Sequence, residues 1–490
     1  MAFSMMLIMR ERQKRPRSKS PENSPAATSS PPSIEPAKAN PEPESAEQSL
    51  SPAPKVEKEA YLEIFGDHAL HGEVRVQGGK NAALPLIAAS LLCSAPVTLR
   101  NVPRISDVEG LLELMKRLGT RVRWTQGLNG DSLELHTPEI TNTQVGAGSG
   151  IGLRASFNLM GPLVARAGEA RVELPGGCTF QDRPVDQHLK ALQSLGYTIK
   201  EDAGAYLVQR PPMVRGKNPS AFFDLPTVGG TQNALCAAAM HAQASIDNAS
   251  IDPDALVVAH FLTRIGVRLS GLGTPQLELQ GIGRPCNKPV AFDVPGDRLE
   301  AGTLLLMGAA TRGEVSVKGI EIALMRPLIA KLKEWGAQTS SVGRMQVRVH
   351  QTGEMKASGL LTACEFPGFP TDLQPIAVAA ACALSGELVV RDRIYPLRQS
   401  HLAPLRRMGA EIDVAGDVQV VRQKKRLQGN HVEGLDIRAT SALILAGLAA
   451  PGETRVTGLP YLSRGHEDLV GKLKQLGARI ISSEPEHLNA

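Results

Sequence analysis

Two kinds of apolar segment alternate along the chain beyond about residue 58. The first kind is apolar nearly all round, then turns into an alternating strand: "AALPLIAASLLCSAPVTLRNV", "FNLMGPLVARAGEARVEL", "EAGTLLLMGAATRGEVSVKG", "QPIAVAAACALSGELVVRD", "SALILAGLAAPGETRVTG" and a weaker copy, "TQNALCAAAMHAQASIDNA". A helix with no polar face is buried on every side. The second kind, as in "VEGLLELMKRLG", "VDQHLKALQSLG" and "LVGKLKQLG", has apolar residues at helical spacing on one face only. These helices lie outside the buried ones.

Each amphipathic segment ends in one short pattern, a bulky apolar residue, Gly, two residues, then usually Val, Ile or Leu. It recurs at Gly119, Gly196, Gly266, Gly336, Gly409 and Gly477, with steps of 68 to 77 residues. A fixed period of this size marks an internal repeat. The glycine is placed to be the C′ residue of its helix, in the left-handed conformation that glycine adopts without strain. Each unit therefore reads helix, strand, helix, strand with further short strands. Three units closing around one core give two similar α/β domains with a cleft between them, a favoured place for a ligand.

From Arg10 to about Lys58 the pattern disappears. This stretch is rich in Pro, Ser, Ala, Glu and Lys, has almost no large apolar residue, and cannot bury enough surface to offset its ordering entropy. Residues 1–58 read as a disordered tail with room for docking an unknown partner, and their acidic residues argue against a transit peptide. The opening "MAFSMMLIM" precedes the basic cluster instead of following it, the wrong order for a secretory signal. No run approaches the ~20 apolar residues that span a bilayer, so the body is expected to be soluble and cytoplasmic.

The first twenty residues match the formal net charge of +5, because Arg10, Arg12, Lys14, Arg15, Arg17 and Lys19 face only Glu11 there, and the rest of the chain is neutral overall. A neutral body with 3% aromatic residues lacks the basic stripe and stacking rings of a nucleic-acid binder. The 6 cysteines are scattered, without CxxC or zinc spacing, which fits a reducing compartment and gives no metal site. Cys93, Cys236 and Cys382 lie in alanine-rich apolar runs, where a buried free thiol is the ordinary reading.

Chemistry concentrates where buried helices begin, since free backbone N–H groups there attract anions. "VQGGKNAALPL" puts Lys80 and Asn81 after two glycines at the first such start, an anion site or a simple turn. Arg154 in "GLRASFN", Asp297 in "VPGDRLEAGT", Asp372 in "FPTDLQPIAV", and Asp436 and Arg438 in "GLDIRATSAL" hold similar positions. Each is either an N-cap or part of a shared polar cleft. In "LPGGCTFQDRPVD", Cys178 is either a small residue in a tight turn or a thiol activated by nearby Arg183.

Together, the sixfold repeat and the motifs "GGKNAALP", "LRAS", "LPGGCTFQDRPVD", "FPTDLQ", "DIRA" and "SRG" resemble the enolpyruvyl transferases over about residues 60–484. The "GGC" loop and "FPTDLQ" place the likeness in the sugar-nucleotide branch, away from the shikimate-phosphate branch. The resemblance implies an inside-out α/β barrel of two domains, one from residues 59–79 and 296–490 and one from 80–295, the latter carrying the Cys178 loop. It implies transfer of the enolpyruvyl group of phosphoenolpyruvate to the 3′-hydroxyl of UDP-N-acetylglucosamine with release of phosphate, the first committed step of peptidoglycan synthesis. No metal or organic cofactor is implied.

By the same resemblance, Cys178 corresponds to the loop cysteine that forms an adduct with phosphoenolpyruvate and is the target of fosfomycin. Asp372 would be the base near the 3′-hydroxyl, and Lys80, Arg183 and Arg464 would hold the phosphate and carboxylate. Asn81, Arg154, Arg183, Pro184, Val185, Asp186, Gln187, Leu225, Pro226, Thr227, Val228 and Ile394 would line the sugar-nucleotide site. Asp297, Arg398, Asp436 and Arg438 would complete the cleft. The chain departs from the family pattern at Asn158, Pro226, Gln187, Leu397 and Ser463, mostly on the acceptor side.

Overall fold

The computed structural model describes residues 60–127, 130–146, 154–173, 184–210, 218–350, 353–384 and 386–483. The tail and the segment with Cys178 and Arg183 lie outside these residues.

Among the described residues the repeat is realised as six inner and six outer helices. Inner helices are α1 (Lys80–Ala89), α3 (Met160–Ala167), α5 (Val228–Ala238), α7 (Arg298–Ala310), α9 (Gln374–Ala383) and α11 (Ile437–Ala449). Outer helices are α2 (Ser106–Arg117), α4 (Asp186–Ser194), α6 (Pro253–Arg264), α8 (Arg326–Glu334), α10 (Leu402–Arg407) and α13 (Leu469–Gln475); the short α12 spans Leu459–Ser463. Burial follows the hydrophobic pattern. In α7 every residue from Leu299 to Ala310 is buried, whereas in α2 Val108, Leu111, Leu112, Leu114 and Met115 are buried and Glu109, Glu113 and Lys116 are exposed.

All six outer helices end on the predicted glycine. Gly119, Gly196, Gly266, Gly336, Gly409 and Gly477 have φ of 101°, 96°, 107°, 94°, 90° and 93°. These angles let the chain reverse directly into a strand.

Among the described residues the strands form six sheets of four. In each, an edge strand runs parallel to the strand that follows the inner helix and two antiparallel strands are added, a hairpin in five sheets and the distant strands Leu62–Phe65 and Arg479–Ser482 in the sixth. One sheet pairs Gln144–Val145 with Glu169–Glu173 in parallel, then adds Ala205–Gln209 and Thr198–Asp202. Strands such as Gln276–Gln280 alternate exposed and buried residues, so the helices lie inside and the sheets outside.

Three sheets take a strand from a distant part of the chain. His71–Arg75 pairs in parallel with Glu314–Lys318, and Val290–Asp293 with Val97–Arg100. Leu62–Phe65 lies antiparallel between Glu453–Thr457 and Arg479–Ser482. Core packing divides accordingly, into one cluster built from Leu62 to Val76 with Leu299 to Ile480, and another from Ala82 to Val294. The two passages between the clusters meet at an antiparallel bridge, Gly78 with Gly296. Glycine is needed at both positions, because a Cβ at Gly78 would lie 1.8 Å from the Asn101 carbonyl oxygen and one at Gly296 2.0 Å from that of Gly319. Among the described residues no helix is long and apolar enough to cross a membrane.

Candidate active site

The N-terminal ends of all six inner helices carry the residues that sequence reasoning selected. Lys80 and Asn81 open α1 after Gly79, and Arg154 opens the 3-10 turn that leads into α3. Thr227 caps α5, its hydroxyl accepting from Gly230 N at 3.3 Å, with Leu225 and Pro226 exposed just before it and Val228 as first helical residue. Asp297 caps α7, accepting from Leu299 N at 2.8 Å and Glu300 N at 3.2 Å. Asp372 lies in the 3-10 turn Thr371–Leu373 before α9, and Asp436 caps α11 through Arg438 N and Ala439 N. Asp297 and Asp436 are thus N-caps whose carboxylates also stand at the positive ends of helices.

Around Asp372 three charged side chains interlock. Its Oδ1 accepts from Arg398 Nη1 at 2.7 Å and its Oδ2 from Arg438 Nη2 at 3.1 Å. Arg398 is buried, with 2% of its side chain exposed, and it also donates to the Thr371 carbonyl at 2.7 Å. Its guanidinium stacks 4.8 Å from the Tyr395 ring centre. Arg398 therefore positions Asp372 from beneath, while Arg438 approaches from α11.

Asp392, which sequence reasoning did not select, organises this corner. It takes a hydrogen bond from Thr371 Oγ1 at 2.5 Å, and its other oxygen accepts from Ile394 N and Tyr395 N, each at 2.9 Å. The available signal was an aspartate at a strand end followed by a turn, "RDRIYP", a common Asx arrangement.

Asp107 was missed as well, and it is the counterion of both Lys80 and Arg464. Its Oδ2 lies 2.5 Å from Lys80 Nζ and its Oδ1 2.9 Å from Arg464 Nε, with only 7% of its side chain exposed. In sequence it reads as an acidic residue in the first turn of α2. Burial pushes the Lys80 ammonium below its ordinary pKa, Asp107 opposes that shift, and Arg438 and Arg464 add to it. Asp297 is raised chiefly by burial, against the pull of Arg438. Lys80, Asp297, Asp372, Arg438 and Arg464 thus share one electrostatic neighbourhood.

The segment carrying Arg464 is pinned by Gln77 and Glu300. Gln77 donates from Nε2 to the Gly465 carbonyl at 3.1 Å, accepts from Glu467 N at 2.8 Å, and donates its own N–H to Glu300 Oε2 at 2.8 Å. Lys472 Nζ donates to Glu300 Oε1 at 2.6 Å. Burial pushes Glu300 up, but Lys472 and His466 outweigh it and hold the carboxyl at about 2.

Pro184 and Val185 lead into α4, which begins at Asp186. The Gln187 amide reaches across to the segment before α5. Its Oε1 accepts from Asp224 N at 2.9 Å, and its Nε2 donates to Asp224 Oδ2 at 3.1 Å and Asp186 Oδ2 at 2.9 Å. Gln187 thereby ties together the two stretches assigned to the sugar nucleotide.

Three cations and several helix N-termini converging on one region suit an anion with two charged groups, and a carboxylate fixed between arginines suits proton transfer. The family model described as EPSP synthase (3-phosphoshikimate 1-carboxyvinyltransferase) matches residues 64–473, and the chain belongs to that family. Within it, the chain is 43% identical over 419 residues to the UDP-N-acetylglucosamine 1-carboxyvinyltransferase of Thermus thermophilus, covering 86% of this chain and 96% of that protein. It is 42% identical over 425 residues to the protein of the same name from Deinococcus radiodurans, covering 86% and 97%. The enolpyruvyl transferase NikO from Streptomyces tendae has the same fold, with a TM-score of 0.77 at 23% identity over 86% of this chain and 99% of that one.

Proposed function

We propose that this protein is a transferase that moves the enolpyruvyl group of phosphoenolpyruvate to the 3′-hydroxyl of UDP-N-acetylglucosamine and releases phosphate. The observation that carries the reading is the pairing of Asp372, held by Arg398 and Arg438, with the Lys80–Asp107–Arg464 cluster, in a chain with relatives of that name. The reaction adds an alcohol across an enol double bond and then eliminates phosphate. One proton must reach the methylene carbon, one must leave the hydroxyl, and the methyl proton must be lost again as the C–O bond to phosphate breaks.

Asp372 is the group proposed to take the hydroxyl proton. A carboxylate offers about four acceptor sites, so a substrate hydroxyl can join the two arginine bonds. Lys80 and Arg464, with Arg183 from outside the described residues, are assigned to the phosphate and carboxylate of phosphoenolpyruvate. Their fixed charges would stabilise the tetrahedral intermediate. Cys178, also outside the described residues, is assigned to the lid over that site by the motif "LPGGC". Each of the two core clusters is read as one lobe, closing on the sugar nucleotide and excluding water. Peptidoglycan synthesis in the cytoplasm is the corresponding cellular setting.

Phosphate release with both substrates tests the reading, together with calorimetric titration of UDP-N-acetylglucosamine against other nucleotides. Release that requires both substrates and disappears in Asp372→Ala supports it. Tight binding of a different nucleotide, with none of UDP-N-acetylglucosamine, would overturn the acceptor and leave enolpyruvyl transfer standing.

A further inference from the structure

Cys93 and Cys286 lie side by side at the seam where the second core closes on itself. Cys93 follows the turn Ser90–Leu92 at the end of α1, and Cys286 precedes the strand Val290–Asp293 that returns to pair with Val97–Arg100. The two cysteines form an isolated parallel bridge. Cys286 N donates to the Leu92 carbonyl at 3.0 Å and Ser94 N donates to the Cys286 carbonyl at 2.8 Å, which sets Cys93 directly opposite Cys286. Neighbouring strands lie ~4.8 Å apart, inside the ~4.4–6.8 Å range of Cα separations that a disulfide accepts.

Their side chains also meet. The Cys286 thiol is a hydrogen-bond neighbour of the Cys93 thiol, and it donates to the Lys288 carbonyl at 3.6 Å. Cys93 is fully buried, and burial pushes its thiol up, whereas Cys286 is partly exposed. An oxidant therefore meets Cys286 first.

We propose that Cys93 and Cys286 are a modification site, a dithiol that hydrogen peroxide converts into a reversible disulfide stapling the first and last segments of the second core. In the first step the Cys286 sulfur attacks peroxide, the O–O bond breaks, and sulfenic acid and water form. In the second the Cys93 sulfur attacks the sulfenic sulfur, the S–S bond forms as the S–O bond breaks, and hydroxide takes the Cys93 proton to leave as water. Two thiols lose two electrons and one peroxide becomes two waters. An external thiol reverses the link by exchange. In a reducing compartment the staple would form only under oxidative load. A cross-link between positions this far apart in sequence restricts the unfolded chain strongly.

The full chain carrying Cys178→Ser and Cys364→Ser is treated with hydrogen peroxide, alkylated after denaturation and digested without reduction. The expected result is one linked peptide pair, Cys93 with Cys286, two hydrogens lighter than its parts. The melting temperature should rise by several degrees and return on adding dithiothreitol. Adding Cys286→Ser, or Cys286→Ala, to that chain should abolish both changes while leaving its untreated melting temperature in place. Alkylated Cys93 beside an oxidised Cys286, a link from Cys286 to another cysteine, or a linked pair with no rise in melting temperature overturns the proposal.

Discussion

Asp372 and Arg398 form a buried–exposed pair in which the arginine is the hidden member. The guanidinium is buried and donates to Asp372 at 2.7 Å, while the carboxylate retains 24% exposure. Such a geometry fixes the carboxylate's direction without covering it. Asp372→Asn keeps the shape and removes the proposed base, so kcat should fall by about 10²–10⁴, the usual range for a general base, with little change in either KM. Steady-state phosphate release measures this.

Replacing Asp107 with Asn should act through Lys80. Asp107 opposes the lowering of the Lys80 pKa by burial, Arg438 and Arg464. Without it the ammonium loses its proton at lower pH, and the alkaline limb of kcat/KM for phosphoenolpyruvate moves toward neutrality. An unmoved limb would detach Lys80 from that ionisation.

Gln187→Leu removes the tether to Asp224 but leaves α4 in place. The loss of these exposed hydrogen bonds, typically worth about 0.5–1.5 kcal/mol each, should raise KM for the sugar nucleotide by roughly two- to tenfold. The kcat should stay near the parent value. A fall in kcat with unchanged KM would place Gln187 in the chemistry instead.

Glu300 links stability to pH. Its folded pKa of about 2 lies below the ordinary 4.5, so its contribution is complete above about 4.5 and lost as pH falls toward 2. The shift corresponds to about 3 kcal/mol. Glu300→Gln should lower unfolding free energy by about that amount at pH 7, and the gap from the parent should narrow below pH 4.5. Urea melts across the pH range provide the check.

Two glycines should respond differently to alanine. At Gly409, with φ of 90° and nothing near an added Cβ, the cost is the left-handed conformation, about 1–2 kcal/mol. At Gly78 the added Cβ would strike the Asn101 carbonyl oxygen, so the passage between cores must shift and the loss should be larger. Thermal unfolding of the two variants separates the cases.

The sequence reading located the six inner helices and the six C′ glycines, because apolar periodicity and left-handed glycine are properties of a short window. It also placed Lys80, Asp297, Asp372, Asp436 and Arg438 at the starts of those helices. Asp107 and Asp392 escaped it, since an acidic residue in a helix's first turn, or one at a strand end, is locally ordinary. Their importance comes from partners outside any short window, Lys80 and Arg464 for Asp107 and Thr371 for Asp392.

The order of elements, which helices are buried and where each turns were determined by the sequence alone, through burial of apolar stripes and the backbone freedom of glycine. Which strand completes which sheet, and which cation meets which carboxylate, was decided only in the tertiary structure. Leu62–Phe65, His71–Arg75 and Val290–Asp293 each pair with strands far along the chain. Those pairings bring Arg464 onto Asp107 and Cys93 beside Cys286. A local window cannot contain such relationships, because their energy arises between residues that only the closed fold makes neighbours.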